Sequence, residues 1–149
     1  TQGVSSAASD VYKRQVEALV SDVDIVSLHC PLTRETRNIV DAGLIARMGP
    51  QTLIVNTARG GLIDEAALAA ALADGRIAGA GLDSFAAEPP SPDGPLWAAP
   101  NLIVTPHVGG VTKGSAITMA ETAARHIISV LDGNPPDARS LALPATLAA

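Results

Sequence analysis

The feature that most constrains the fold is residues 52–75, which read as a buried strand, a tight turn and a helix in direct succession. Thr52 to Val55 are β-branched or apolar without alternation, which predicts a strand covered on both faces. Gly60-Gly61 interrupts this pattern and permits backbone angles that other residues avoid. Asp64 is a good N-cap for the helical run that follows, and Gly75 lies where that helix should end.

The same pattern recurs along the chain. Strands are predicted at Asp24–His29, Thr52–Asn56, Ile77–Leu82 and Leu102–Val104. Helices are predicted from Val16 to near Ser21-Asp22, from Asp41 to Met48, at Glu65–Asp74 and at Ser115–Leu131. Strands that alternate with helices at this spacing predict parallel βα units. Four strands make half of a doubly wound sheet. The predicted fold class is therefore α/β, a partial doubly wound (Rossmann-like) parallel sheet flanked by helices.

The two ends of the chain differ from this pattern. Residues 1–15 are polar and small, with neither a helical nor a strand period, and Ser9–Gln15 resembles translated sequencing-adapter sequence. We expect residues 1–15 to be an artefactual or disordered segment, residues 16–133 to form the domain, and residues 134–149 to form a tail.

Composition excludes several classes of protein. The net charge of −5 and the absence of a basic run argue against nucleic-acid binding. The longest wholly apolar run, Ala66–Ala73, is too short to span a bilayer. The single cysteine, Cys30, excludes an internal disulfide and is typical of a reducing compartment, so the protein is predicted to be cytoplasmic.

Polar side chains follow three of the predicted strands. Arg59 follows the second strand, Asp83 and Glu88 follow the third, and His107 follows the fourth. Parallel strands bring their carboxyl ends to one edge of the sheet, where open α/β sheets bind ligands. Each residue also has a structural explanation: Arg59 as a surface loop arginine, Glu88 as a solvated charge, and His107 as a hydrogen-bonded core histidine.

Together these residue types indicate acid–base chemistry on an anion. Histidine exchanges a proton near neutral pH, a neighbouring carboxylate orients the ring and favours the imidazolium, and an arginine fork holds a carboxylate. Gly79–Ser84 starts like a phosphate-binding turn but lacks its third glycine. His29, Cys30 and His107 lack zinc spacing, so no metal is predicted.

Four motifs in order resemble the D-isomer-specific 2-hydroxyacid dehydrogenases, the family of phosphoglycerate dehydrogenase and glyoxylate/hydroxypyruvate reductase. These motifs are Ser27–Thr33 (SLHCPLT), Val55–Gly61 (VNTARGG), Gly81–Pro89 (GLDSFAAEP) and Thr105–Gly110 (TPHVGG). The resemblance implies an NAD-dependent oxidoreductase, with NADP not excluded, that moves a hydride between the nicotinamide and C2 of a 2-hydroxy or 2-keto acid. It also implies that the full-length protein is a homodimer, while the charge and composition predict no nucleic-acid or membrane partner.

The resemblance also implies roles for individual residues. Arg59 would bind the substrate carboxylate, His107 would be the acid/base on the 2-hydroxyl, and Glu88 would hydrogen-bond His107. The implied cofactor contacts are Cys30, Pro31, Thr36, Thr57, Ala58, Arg59, Asp83, His107, Gly109 and Gly110. Cys30, Pro31 and Thr36 match positions near the adenosine, and the others match positions near the nicotinamide and its ribose.

Parts of the family pattern are not found in the sequence. The Gly-rich turn and the charged residue about 20 positions later, which distinguish NAD from NADP, are missing. We therefore expect residues 16–133 to be the second half of the NAD(P)-binding domain, followed by a tail that leads towards a missing substrate domain. Such a fragment should be inactive alone. The alternative is a non-catalytic, NAD(H)-sensing corepressor-like module, which reduction of a 2-keto acid by a completed chain would exclude.

Overall fold

The computed structural model describes residues 16–134 and residue 140. The elements in order are α1 (Val16–Val20), β1 (Ile25–Leu28), α2 (Ala42–Ile45), β2 (Leu53–Asn56), a 3₁₀ turn (Gly60–Leu62), α3 (Glu65–Ala73), β3 (Gly79–Leu82), a second 3₁₀ turn (Pro95–Ala98), β4 (Leu102–Val104) and α4 (Lys113–Leu131). The chain forms two compact units, the first ending at Gly109 and the second beginning at Gly110.

The four strands form one parallel sheet in the order β1-β2-β3-β4. Leu28, Asn56 and Leu82 are aligned in register at the carboxyl ends of β1, β2 and β3, and Val104 is aligned with Leu82. Each connection between parallel strands must return the chain to the starting end of the sheet. The prediction of parallel βα units is therefore confirmed, and the four strand exits share one edge.

The hydrophobic core lies on the face of the sheet that carries α2 and α3. Ile54 of β2 is fully buried, as is Leu68 of α3, and Ile45 of α2 is almost so. Helix α3 also packs against the 3₁₀ turn that contains Leu96. Burial of each such side chain stabilises the fold by about 1.5–3 kcal/mol. The alanine-rich, aromatic-poor composition thus allows helices to lie close to the sheet.

The opposite face of the sheet is open within the first unit, so the prediction that β2 is covered on both faces is wrong for the described residues of that unit. Leu53 is 42% exposed on β2, while Ile25 on β1 and Ile103 on β4 are 60% and 74% exposed. Side chains alternate between the two faces along a strand, so the same strand that buries Ile54 exposes its neighbour.

The predicted helix ends are largely confirmed. Asp64 Oδ1 accepts hydrogen bonds from the backbone N–H groups of Ala66 and Ala67, and Gly75 ends α3 with a φ of +63°. Asp41 caps α2 as predicted, but the α-helix ends at Ile45 and not at Met48. The Met48 N–H donates to the Ile45 carbonyl, which is the i to i−3 pattern of a tighter turn.

Gly60 is needed for a different reason from the one predicted. Neither Gly60 nor Gly61 has a positive φ. A Cβ on Gly60 would instead lie 1.8 Å from the carbonyl carbon of Phe85 and 2.3 Å from the Ala86 nitrogen. The glycine therefore allows two backbone segments, one after β2 and one after β3, to approach each other.

The second unit contains α4. Thr112 and Ser115 form a reciprocal capping box at its start, so the helix begins at Lys113, two residues before the predicted Ser115. Gly133 follows its end with a φ of +80°. The predictions for residues 1–15, and for the tail except Asn134 and Ser140, concern positions outside the described residues. No helix in the described part of the chain is long and apolar enough to cross a membrane.

Candidate functional site

The first unit carries four of the predicted polar side chains on loops that leave the shared edge of the sheet. Arg59 lies on the loop after β2, Asp83 and Glu88 on the loop after β3, and His107 on the loop after β4. The structure brings Glu88 and His107 into direct contact, and it places the charges of Arg59 and Asp83 near this pair. The predicted convergence of these exits is therefore found.

Glu88 and His107 form the central pair of the site. His107 Nδ1 lies 2.9 Å from Oε1 and 2.8 Å from Oε2 of Glu88. The hydrogen bond to His107, followed by that from the Phe85 N–H (3.0 Å), lowers the pKa of Glu88 below its usual value. An ionised carboxylate only accepts hydrogen bonds, so Nδ1 carries the proton and Nε2 remains for a ligand. Both side chains are about two-fifths exposed, which leaves the ring accessible.

The backbone of His107 has an unusual conformation. Its φ is +56°, and its N–H donates to the Thr105 carbonyl at 3.0 Å. A positive φ is uncommon for a residue with a side chain and occurs frequently at functional sites. The tight turn directs the ring from the end of β4 back towards the loop that carries Glu88.

Asp83 anchors the loop around His107. Its Oδ1 accepts hydrogen bonds from Thr105 Oγ1 (2.5 Å) and the Val108 N–H (2.9 Å), and its Oδ2 accepts from the Gly109 N–H (2.8 Å). The Thr105 hydroxyl contributes most to a pKa of Asp83 that is below its usual value. Because Asp83 is only 4% exposed, these donors compensate for the burial of its charge.

Arg59 is exposed on the loop after β2. Its Nη1 donates to the Ala58 carbonyl at 2.7 Å, and its positive charge is one of the causes that lower the pKa of Glu88. The guanidinium therefore acts electrostatically on Glu88. A guanidinium has five N–H donors, so the bond to Ala58 leaves others for an anion.

Three supporting residues were not predicted. The side chain of Asn56 donates a hydrogen bond to the Arg59 carbonyl, and the hydroxyl of Thr105 donates one to the Asp83 carboxylate. Glu65 Oε1 accepts a hydrogen bond from the Ala86 N–H (2.6 Å), which lies on the loop that carries Glu88. Asn56 is a polar residue at the end of an apolar strand, and this feature of the sequence could have indicated that its side chain supports the loop that follows. The partners of Thr105 and Glu65 lie about 20 residues away in sequence, and no local pattern indicates them.

The remaining predicted cofactor residues lie on the exits of β1 and β2 or at the start of the second unit. Cys30 is a free, half-buried thiol, and the Pro31 carbonyl accepts a hydrogen bond from Thr36 Oγ1 (2.7 Å). Thr57 is exposed and Ala58 half-buried. Gly110 opens the second unit, where its carbonyl accepts from Ser115 Oγ (2.9 Å).

A cavity of about 350 Å³ adjoins the Glu88–His107 pair. Phe85, Trp97 and Val104 contribute apolar walls, and the rings of Phe85 and Trp97 are 5.9 Å apart. Trp97 Nε1 donates to the Ser91 carbonyl, which fixes the indole. An apolar wall beside the pair reduces access of water on that side and strengthens the electrostatic interaction.

The described residues contain no group of three or more His, Cys, Asp or Glu side chains that could hold a metal ion. The His29 Nε2, one of the atoms considered for zinc, is hydrogen-bonded to Ser27 Oγ at 2.8 Å. The site thus combines an ionised carboxylate, an imidazole and a guanidinium. Such a set can hold an anion and exchange a proton with it.

Comparison with known proteins identifies relatives that share these elements. The sequence model described as "D-isomer specific 2-hydroxyacid dehydrogenase, NAD binding domain" matches residues 2–109. Glycerate dehydrogenase of Methylorubrum extorquens is 40% identical over 139 residues, which is 89% of this chain and 44% of that protein. Glyoxylate reductase of Thermofilum pendens is 42% identical, over 83% of this chain and 36% of that protein. The chain spans less than half the length of these relatives.

Solved structures show the same fold. The TT0316 protein of Thermus thermophilus has a TM-score of 0.77 and 41% identity, over 83% of this chain and 39% of that one. The NAD-complexed D-isomer specific 2-hydroxyacid dehydrogenase of Lactobacillus delbrueckii ssp. bulgaricus has a TM-score of 0.72 and 32% identity, over 83% of this chain and 42% of that one. The fold is therefore the Rossmann-like α/β fold that the sequence predicted.

Proposed function

Because the chain belongs to the D-isomer-specific 2-hydroxyacid dehydrogenase family, we propose that it acts in hydride transfer between a nicotinamide cofactor and C2 of a small 2-hydroxy acid. Residues 16–133 would supply the second half of the NAD(P)-binding domain. The observation that carries this proposal is the Glu88–His107 contact at 2.8 Å, close to the charge of Arg59.

In the proposed reaction, His107 gives a proton to the oxygen at C2 during reduction and removes it during oxidation. The ionised Glu88 fixes the proton on Nδ1, which leaves Nε2 as the atom that faces the substrate oxygen. Arg59 binds the substrate carboxylate and thereby orients the carbon that reacts. Each residue thus has one task that its position and chemistry support.

The residues present are compatible with a nicotinamide. Two carboxylate oxygens offer about four acceptor positions, and three donors already occupy Asp83, so one remains for the amide of a carboxamide. A Cβ on Gly109 would lie 2.8 Å from Oδ2 of Asp83, so glycine at this position allows the backbone to approach the carboxylate closely. When bound, the nicotinamide supplies or accepts the hydride.

The other implied cofactor contacts remain predictions for this chain. Cys30, Pro31 and Thr36 would approach the adenosine, and Thr57, Ala58 and Gly110 the nicotinamide side. The choice between NAD and NADP is also open, since structures of relatives are described with either NAD or NADPH. The proposed cytoplasmic location is supported by the single cysteine, Cys30, which is typical of a reducing compartment. The proposed homodimer of the full-length protein would be tested by light scattering.

The proposed function is tested in a chimera in which this chain replaces its matching segment in the glycerate dehydrogenase of M. extorquens. NADH oxidation would be followed with glyoxylate, hydroxypyruvate and phosphohydroxypyruvate. We expect turnover with at least one substrate, and its loss in His107→Gln while NADH binding remains. His126→Gln, which changes a partly exposed histidine of α4, is the matched control. Full turnover by the His107→Gln chimera would contradict the proposal.

A further inference from the structure

Asn56 is the last residue of β2 and is fully buried. Both ends of its side-chain amide are used by the loop that follows. Nδ2 donates to the Arg59 carbonyl at 2.9 Å, and Oδ1 accepts from the Ala58 N–H at 3.0 Å. A donor at one end and an acceptor at the other define a single orientation of the amide. Asn56 therefore closes the loop of residues 57–59 into one fixed turn.

The Ala58 peptide links this turn to the Arg59 side chain. The N–H of Ala58 is bound by Asn56, and the carbonyl of Ala58 accepts the hydrogen bond from Arg59 Nη1 at 2.7 Å. The backbone of Arg59 is held at the same time, because its own carbonyl is bound by Asn56 Nδ2. Both the main chain and the guanidinium of Arg59 thus depend on contacts that Asn56 stabilises.

We propose that Asn56 is a positioning residue that holds the Arg59 guanidinium ready for a substrate carboxylate. This inference rests on the proposed function, in which Arg59 binds that carboxylate. Arginine loses much side-chain freedom when it is ordered, and a side chain that is already restrained binds with a smaller entropic loss. Among the described residues, the side-chain amide of Asn56 hydrogen-bonds only the loop of residues 57–59, so the amide acts through Arg59.

The test measures binding of oxamate, a carboxylate with an adjacent carbonyl, to the whole chain. The Arg59 Nε–H resonance is followed by NMR while oxamate is added, and its change gives the Kd for oxamate. We expect Asn56→Asp, which keeps the acceptor but loses the donor, to raise the Kd for oxamate roughly tenfold, the equivalent of one hydrogen bond. Thr52→Val is the matched control, because Thr52 is a buried polar residue at the other end of β2 that bonds the Val23 carbonyl.

A double-mutant cycle separates positioning from a general loss of stability. If Asn56 acts through Arg59, adding Asn56→Asp to Arg59→Lys should change the Kd for oxamate by less than about twofold. Equal losses of about tenfold in both backgrounds, or an equal loss in Thr52→Val, would overturn the positioning role. An unchanged Kd in Asn56→Asp alone would do the same. Unchanged binding in Arg59→Lys would instead refute the proposed role of Arg59.

A measurement on the wild-type chain keeps the test valid if Asn56→Asp does not fold. The two Nδ2–H resonances of Asn56 should be resolved and slow to exchange with solvent, and they should shift when oxamate binds. Resonances that exchange quickly or do not respond to oxamate would overturn the proposal.

Discussion

Substitution of Gly60 by alanine should disrupt the contact between the two loops that carry the site. The added Cβ would lie 1.8 Å from the Phe85 carbonyl carbon, 2.2 Å from its oxygen and 2.3 Å from the Ala86 nitrogen. An ordinary contact begins near 3.4 Å, so the two backbones must separate by about 1.6 Å (3.4 − 1.8). All three atoms belong to the main chain, so no side chain can rotate away to make room.

The expected loss of stability follows from this geometry. Overpacking in a dense interior usually costs about 1–3 kcal/mol, and a backbone obstacle places this case at about 3 kcal/mol or more. Displacement of Phe85 and Ala86 also breaks their N–H bonds to Glu88 (3.0 Å) and Glu65 (2.6 Å). For a domain of this size, a loss of about 3 kcal/mol lowers the Tm by about 6–12 °C or more.

Thermal and urea unfolding of the whole chain would test this value, with Gly81→Ala as the control. Gly81 lies within β3, has no positive φ, and a Cβ there meets no atom within 4 Å. Gly81→Ala should therefore be neutral or slightly stabilising, by at most about 1 kcal/mol. A Tm of Gly60→Ala within about 1 °C of the wild type, or equal losses of stability in the two variants, would show that Gly60 is not needed for the close approach of the two loops.

Three further predictions concern the site. In the chimera, Arg59→Lys should mainly raise KM, because lysine keeps the positive charge but lacks the paired N–H donors of the guanidinium. An unchanged KM in steady-state kinetics would contradict this. His107→Gln should lower kcat by roughly 10²–10⁴ without loss of NADH binding, as judged by fluorescence titration; unchanged kcat would exclude a role in acid–base catalysis. Thr105→Val removes the largest cause of the lowered pKa of Asp83. Because the pKa of Asp83 is lower in the folded state than in the unfolded state, its ionised carboxylate stabilises the fold above the unfolded pKa, and this stabilisation is lost on acidification. The difference in the free energy of unfolding between wild type and Thr105→Val should therefore shrink as pH falls from about 7 towards about 3. A difference that stays constant over this pH range would contradict the prediction.

Local sequence signals were sufficient for most of the fold. The apolar run Leu102–Val104 is a strand with the predicted bounds, and Asp64 and Gly75 mark the ends of α3 because capping and positive φ depend on few neighbouring residues. Parallel order explains why the loops that carry Glu88 and His107 could be predicted to converge, since both follow strands whose exits share one edge. The specific pairing of Glu88 with His107 was implied by the family resemblance.

Features that depend on distant segments could not be predicted. The need for glycine at position 60 arises from Phe85 and Ala86, whose approach no local pattern indicates. The bond from Thr105 to Asp83 likewise joins two loops. The exposure of Leu53 was missed because an apolar run predicts burial without stating which elements cover each face.

The proposed assistance of Glu88 to His107 in proton transfer can be measured through the pH dependence of kcat/KM for keto-acid reduction. Glutamate is ionised near neutral pH, and the lowered pKa of Glu88 extends this to more acidic solution. The carboxylate lies 2.8 Å from Nδ1 of His107, where its charge favours the protonated ring that reduction requires. In the Glu88→Gln chimera, the descending alkaline limb should therefore move to lower pH, whereas Glu17→Gln, a charge change on α1, should leave it in place. An alkaline limb that does not move in Glu88→Gln would contradict the account.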